Sequence, residues 1–331
     1  MSLSIQLILA LILDVIIGDP RWFPHPVRII GKLCHWLEKI FWRPIHPVGQ
    51  KLSGAAVFAI VTSVTGLVTW GSLTALDGLQ TMVLTVAALL VLYLSIAGGD
   101  LVRHSKNVYQ TLQSNDIYRA RNAVALLVGR DTDTMDRTTI SKACVESVSE
   151  NLVDGITAPL FWAILFAFGA AVFSSPPMIG AATGAMMYKA INTMDSMFGY
   201  KNKRYIDFGY VPAVVDDLFN FLPARITGVC IISAAYLLGY DSRQAVRIFF
   251  QDRLKSTSPN SGHPESAVAG ALGIQLGGPA SYFGELIEKP VIGHGLRPPN
   301  AADILKCNRL VISSAFIFLL SSCVVIVLFL K

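Results

Sequence analysis

Hydrophobic residues fall along this chain in long uninterrupted runs separated by polar stretches. The runs cover Leu3 to Ile17, Gly54 to Leu76, Thr81 to Ala97, Gly155 to Phe173 and Leu310 to Leu330, and several approach the ~20 residues a helix needs to cross a hydrocarbon core. Inside that layer no water satisfies an open backbone, so the runs are expected to be helices. Leu101 to Gln113, Ile117 to Leu127 and Arg137 to Val153 also read as helices, the last two separated by the polar turn "GRDTDTMDR". The small-residue run Met178 to Ile191 suits close helix packing more than lipid exposure. The apolar stretch 211 to 238 contains Asp216, Asp217, Asn220, Pro223 and Arg225. Polar backbone at membrane depth is tolerated only away from lipid, so this stretch predicts a broken or re-entrant pair of half-helices.

Of the 331 residues, 53% are hydrophobic and 15% charged, against roughly 25% charged in soluble domains; the mean hydropathy is +0.53. The expected fold is therefore all-α: a polytopic integral membrane protein of five to seven membrane helices, with no soluble domain able to stand alone. Leu3 to Ile17 has no basic leader and no small-residue cleavage site, so it reads as a retained first helix. The five cysteines show no C-x-x-C spacing and the six histidines no H-x-x-x-H spacing. Neither a disulfide frame nor a histidine-bound metal is indicated.

Net charge is +5, and the distribution of Lys and Arg among the loops sets orientation. Residues 19 to 53 carry Arg21, Arg28, Lys32, Lys39, Arg43 and Lys51; residues 98 to 154 carry Arg103, Lys106, Arg119, Arg121, Arg130, Arg137 and Lys142. Both loops are expected on the cytoplasmic side, as is 239 to 309. Trp22, Phe23, Trp36, Phe41 and Trp42 stand among basic residues, the composition of an interfacial helix or an anchoring aromatic belt.

Carboxylates are scarce, so those in or beside apolar runs are candidates for chemistry. Glu146, Glu150 and Asp154 follow i, i+4, i+8 spacing, which keeps them on one face of a helix. That face binds a cation or is simply solvated. Lys189, Asn192, Asp195 and Ser196 sit together before the basic cluster Lys201, Lys203 and Arg204, a set able to place a Mg²⁺ ligand beside phosphate-binding cations. Positive flanking explains the lysines but not Asn192 and Asp195. Asp216, Asp217, Asn220 and Arg225 suit either a reaction centre or an ion pathway. In "SPNSGHPESAVAGALG", Pro264 fits the first turn of a helix, and the residues before it offer backbone donors to an anion. An ordinary loop-to-helix junction reads the same way. No Walker A loop is present.

The stretches "LDVIIGDPRWFPHPVRIIGKL", "ESVSENLVDGITAPLFW", "YKAINTMDSMFGYKNKRYIDFGYVPAVVDDLFNFLPARIT" and "SPNSGHPESAVAGALGIQLGGP" closely resemble the CobD/CbiB family of cobalamin biosynthesis, the adenosylcobinamide-phosphate synthases. The resemblance runs from Asp14 to about Gly295, with one departure at His263, where an aromatic is expected. It implies one catalytic domain over 1–331 in the cytoplasmic membrane, with its active site facing the cytoplasm. The implied reaction joins adenosylcobyric acid to (R)-1-aminopropan-2-ol O-phosphate or a related amino-alcohol phosphate, with ATP and Mg²⁺. On that basis Glu146, Glu150, Asp154, Asp195, Asp216 and Asp217 form the pool of metal ligands. Lys189, Arg204 and Arg225, with Ser258, Asn260, Ser261 and Gly262, meet phosphates; Asn192 stands beside them. Glu265 orients or deprotonates the amine, Asp19 and His25 close the site, and Trp22, Trp36 and Trp42 dock the corrinoid. All these groups are expected to converge on one pocket. Lipid is the other expected partner, nucleic acid is not, and homo-oligomers are compatible with the sequence. A transporter using Asp216, Asp217 and Arg225 as an ion path, and a noncatalytic scaffold, are the rival readings.

Overall fold

The structure, a computed structural model, describes every residue of 1–331 except Pro20, Arg21, Phe23, Ile45, Lys201, Phe283 and Lys331. Arg21, Phe23 and Lys201, named above among the basic and aromatic candidates, therefore lie outside the described residues. Helix makes up 74% of the chain. In order come α1 (Leu3–Ile17), α2 (Pro26–Phe41), α3 (Pro47–Asp77), α4 (Thr81–Ser95), α5 (Gly98–Gln113), α6 (Ile117–Ala125), α7 (Arg137–Leu152), a π-turn (Val153–Thr157), α8 (Ala158–Val172), α9 (Pro177–Phe198), α10 (Tyr210–Leu237), α11 (Ser242–Asp252), α12 (Gly262–Leu272) and α13 (Ala301–Phe329). Among the described residues, five helical segments are long and apolar enough to cross a membrane: Pro47–Asp77, Thr81–Gln113, Arg137–Val172, Tyr210–Leu237 and Ala301–Phe329. The protein is an all-α, multi-pass membrane protein, as its hydropathy predicts.

The chain divides into two compact units, one of residues 1–97, 158–220 and 322–331, the other of residues 98–157 and 221–321. In the first unit α8 and α9 pack closely because glycine faces the contact. A Cβ on Gly180 would run into the Phe166 carbonyl, and one on Gly184 into the Trp162 carbonyl, which is the small-residue interface expected of 178 to 191. Ile30, Cys34 and Leu37 of α2, Val57 and Val61 of α3, and Met186, Ala190, Met194 and Phe198 of α9 form one buried cluster with Phe208. Trp22 and Trp36 are 84% and 59% exposed, as an interfacial segment requires. Trp42 is instead occupied, its indole donating to the Arg204 carbonyl at 3.1 Å and its ring lying under the Arg204 guanidinium.

The expected break in 211 to 238 is absent: α10 runs continuously through Pro223. Proline lacks the N–H that would reach the carbonyl four residues back. Trp162 replaces that donor, its Nε1 donating to the Phe219 carbonyl at 3.0 Å while its ring stacks on Phe219, centroids 4.1 Å apart. The helix tolerates its proline because a neighbouring helix satisfies the freed group.

In the second unit aspartates start α6, α7 and α11. Asp116, Asp136 and Asp241 accept from the backbone N–H of Arg119, Thr139 and Gln244, removing orphan donors at each N-terminus. α12 ends at Gly273 in the left-handed conformation, φ 63°, where glycine carries no steric cost. α11 lies against α12 so closely that a Cβ on Gly270 would overlap the backbone of Ala245. After α12 come two small antiparallel pairs, β1 (Leu276–Gly277) with β4 (Val291–Ile292) and β2 (Ala280–Tyr282) with β3 (Glu285–Ile287). They carry Tyr282 and Lys289 to the cavity described next.

Candidate functional site

A cavity of about 210 Å³ in the second unit is walled by α7, the loop before α12, α12 itself and the β segment, with Arg130, Glu146, Glu150, Ser256, Ser258, Ser261, Glu265, Tyr282 and Lys289 at its surface. Glu146 and Glu150 reach it together because four residues separate them on one helix. Glu146 is held from two sides: Arg130 forms an ion pair with one carboxylate oxygen, and the Gly277 N–H donates to the other at 2.6 Å. Lys142 donates to the Gly277 carbonyl at 2.7 Å, so the turn and the helix are fixed to each other. Burial works to lower the Arg130 guanidinium, but the charge and hydrogen bond of Glu146 outweigh it and hold the group above its ordinary range.

Glu150 is exposed to the cavity and Glu265 is half-buried at its wall. Burial, and then repulsion from Glu146 and Glu150, push the Glu265 carboxyl well above the usual carboxylate range despite Lys289 and Arg130. Lys289 donates to the Tyr282 hydroxyl. The geometry thus concentrates three carboxylates against two cations, an arrangement that a further cation would relieve.

The loop before α12 behaves differently from the expectation of free backbone donors. Ser258 Oγ accepts from the N–H of Asn260 and of Ser261 at 3.2 and 3.4 Å, and the His263 N–H donates to the Asn260 carbonyl at 3.1 Å. Local side-chain and backbone bonds use these donors first, and the loop's polar face is made by Ser256 and Ser261, whose hydroxyls bond each other at 2.7 Å, together with Ser258. Gly262 serves packing, since a Cβ there would press on the Arg253 carbonyl. Arg225 does not line the cavity; it donates to Asn260 Oδ1 at 3.3 Å and to the Phe221 carbonyl at 2.6 Å, bracing the loop from behind. Asp154 stands in the π-turn and is not among the cavity residues. It nonetheless lies close enough to Glu150 for the two carboxylates to repel, so it stays near the pair without reaching the cavity surface.

The first unit holds a second, mainly apolar cavity of about 320 Å³, lined by Val27 and the end of α4, with Asp19, His25, Arg28 and Lys189 at its surface. His25 Nε2 lies 3.3 Å from Asp19 Oδ1, while its Nδ1 accepts from the Val27 N–H and caps α2. In the same unit the Tyr188 hydroxyl donates to Asn220 Oδ1 at 2.9 Å, Asn220 Nδ2 to Asp216 Oδ2 at 2.9 Å, and Asn192 Nδ2 to Asp216 Oδ1 at 3.4 Å. This buried chain joins α9 and α10. Asp195 and Asp217 are half-buried on those helices and line neither cavity. Arg204 also lines neither. Its Nε and Nη2 donate to Glu38 Oε1 at 3.0 and 2.7 Å, and Tyr205 donates to the same oxygen at 2.8 Å. Burial works to raise the Glu38 carboxyl, but these bonds hold it below the ordinary range. Among the described residues no three His, Cys, Asp or Glu side chains are grouped as a ready metal site.

A family model described as CobD/CbiB protein matches residues 7–311. Relatives named cobalamin biosynthesis protein CobD are similar across their length: 46% identical in Desulfotalea psychrophila over 95% of each chain, 42% in Photorhabdus laumondii over 94% of each, and 40% in Clostridium perfringens over 92% of each. The chain belongs to the CobD/CbiB family. No solved structure matches it. Within this CobD/CbiB chain, Arg130, Ser256, Tyr282 and Lys289 are among the polar residues lining the second-unit cavity that the motifs did not point to. The polar turn around Arg130 was visible in sequence, but nothing local marked Lys289 as facing Glu150 and Glu265.

Proposed function

We propose that this CobD/CbiB protein is an ATP-dependent ligase of cobalamin biosynthesis, joining the free carboxylate of adenosylcobyric acid to the amine of (R)-1-aminopropan-2-ol O-phosphate or a related amino-alcohol phosphate. The observation that carries this reading is the cavity in which Glu146, Glu150 and Glu265 face Arg130 and Lys289 beside a serine-rich loop. A carboxylate is a poor acyl donor and needs activation. In the proposed reaction the corrinoid carboxylate oxygen bonds to the terminal phosphorus of ATP, and ADP leaves. The neutral amine then bonds to the acyl carbon, inorganic phosphate leaves with the C–O electron pair, and the amine proton passes to a base. The products are the amide, ADP and phosphate.

Glu265 suits the base, because a carboxylate whose proton affinity is raised by burial and by its acidic neighbours accepts a proton more readily than an ordinary one. Lys289 and the hydroxyls of Ser256, Ser258 and Ser261 suit phosphate oxygens. Arg130, committed to Glu146, holds the frame. Glu150 is the cavity carboxylate left to hold Mg²⁺, which fits a hard cation that takes one or two carboxylates and completes its shell with water and phosphate. When bound, Mg²⁺ would offset phosphate charge. Lys189, Asp19 and His25 form a separate candidate subsite in the first unit, and the exposed Trp22 and Trp36 a surface for the corrinoid, in the cytoplasmic membrane with the site toward the cytoplasm.

The test is turnover by purified protein supplied with adenosylcobyric acid, Mg·ATP and the amino-alcohol phosphate. Amide and ADP should appear in equal amounts. Glu265→Gln should lower the rate by roughly 10²-fold or more and leave nucleotide binding intact. ATP consumption without amide, or ion flux across proteoliposomes without product, would overturn the ligase reading in favour of another activity.

A further inference from the structure

A third depression, of about 450 Å³, lies on the second unit away from its polar cavity's residues. It is lined by Ile232, Ser233, Tyr236 and Leu237 of α10, Arg243 and Val246 of α11, and Ile317 of α13, with Ser242 at the turn. Two of its walls belong to helices long and apolar enough to span a bilayer, so hydrocarbon is the solvent along them. Tyr236 is 74% exposed at the end of α10, the place where amphipathic rings mark the headgroup level. Immediately beyond, α11 exposes Val246, Phe250 and, just past its end, Leu254 at four-residue spacing. The same side of the sequence presents Arg243 and Arg247, both exposed, while Asp241 is turned to capping Gln244 and Asp252 is buried against Lys255 and the Gly293 N–H.

An apolar slot between membrane helices, closed at its end by a guanidinium, matches one phospholipid: an acyl chain along Ile232, Tyr236 and Ile317, and an anionic headgroup at Arg243. We propose that this groove is a binding site for an anionic phospholipid. α11 ends at Asp252 and the chain runs on through Lys255 into the serine loop, while α11 packs directly on α12, so the lipid would steady the element that carries the cavity's loop. The binding claim itself is independent of the ligase reading.

The full chain would be placed in nanodiscs of phosphatidylcholine with a minority of phosphatidylglycerol, gently released, and its retained lipids counted by native mass spectrometry. Wild type should retain one phosphatidylglycerol in preference to phosphatidylcholine. Arg243→Gln should reduce that preference by about tenfold, the worth of one charge-assisted hydrogen bond, with melting unchanged because the side chain is exposed. Val246→Trp, which fills the groove, should lose retention of both lipids. Equal retention of the two lipids by wild type, or an unchanged preference in Arg243→Gln, would overturn the proposal even if Val246→Trp fails to fold. Soluble glycerol phosphate should not compete; competition would assign the site to a free phosphate instead.

Discussion

Arg130 and Glu146 provide a quantitative test of how the cavity is held together. Their side chains are 10% and 8% exposed, so replacing Arg130 by Met leaves a nearly buried carboxylate whose other assigned contact is the Gly277 N–H. Losing one member of such a pair costs about 3–5 kcal/mol. Glu146→Leu leaves the guanidinium without its counter-charge and should cost nearly as much. The double variant Arg130→Met, Glu146→Leu buries no unpaired charge. It should lose only the acceptor for Gly277, about 1–2 kcal/mol, together with minor packing terms. The expected coupling between the two sites is therefore large and favourable. Unfolding of purified protein by SDS titration in mixed micelles gives the four free energies. If Arg130→Met lies within about 1 kcal/mol of wild type, or if the two single effects simply add, the pair is not the frame of the cavity.

His263, where an aromatic was expected, is 1% exposed, sits 5.6 Å from the Phe249 ring, and neither ring nitrogen finds a hydrogen-bond partner among the described residues. Burial, with Arg225 and Arg253 adding to it, pushes its imidazole from 6.5 down to about 4. The unfolded chain therefore binds a proton that the native state refuses, and this contribution to stability is complete above pH 6.5 and lost as pH falls through 4. His263→Phe should raise stability by about 1 kcal/mol at neutral pH and flatten melting temperature between pH 6.5 and 4; an unchanged acid slope would refute the assignment. Trp162→Phe keeps the ring stack on Phe219 but removes the donor that replaces the missing proline N–H. It should cost about 1–2 kcal/mol and speed amide exchange around Pro223, and unaltered exchange there would count against the compensation.

Membrane helices and the small-residue packing face of α9 were readable in sequence because each is encoded within a few adjacent turns. Apolar runs of the right length and glycines spaced four apart need no distant partner to be recognised. The pairing of Glu146 with Glu150 was also legible, since helical period alone puts them on one face. Asp154, in the π-turn that follows, does not line the cavity, and no local residue announced that turn.

What tertiary structure decided is which distant side chain answers each polar group. The Phe219 carbonyl is served by Trp162, 57 residues earlier, and this turned a predicted break into a continuous helix. Glu146 is fixed by a backbone N–H 131 residues away, and Arg204 by Glu38, so neither stands as the isolated charge its segment suggests. Acidic and amide residues expected in one pocket line separate cavities or neither. The physical reason is common to all: hydropathy and propensity act between near neighbours along the chain, whereas the cost of burying a charge or a carbonyl is settled by whichever group the completed packing brings within hydrogen-bond reach.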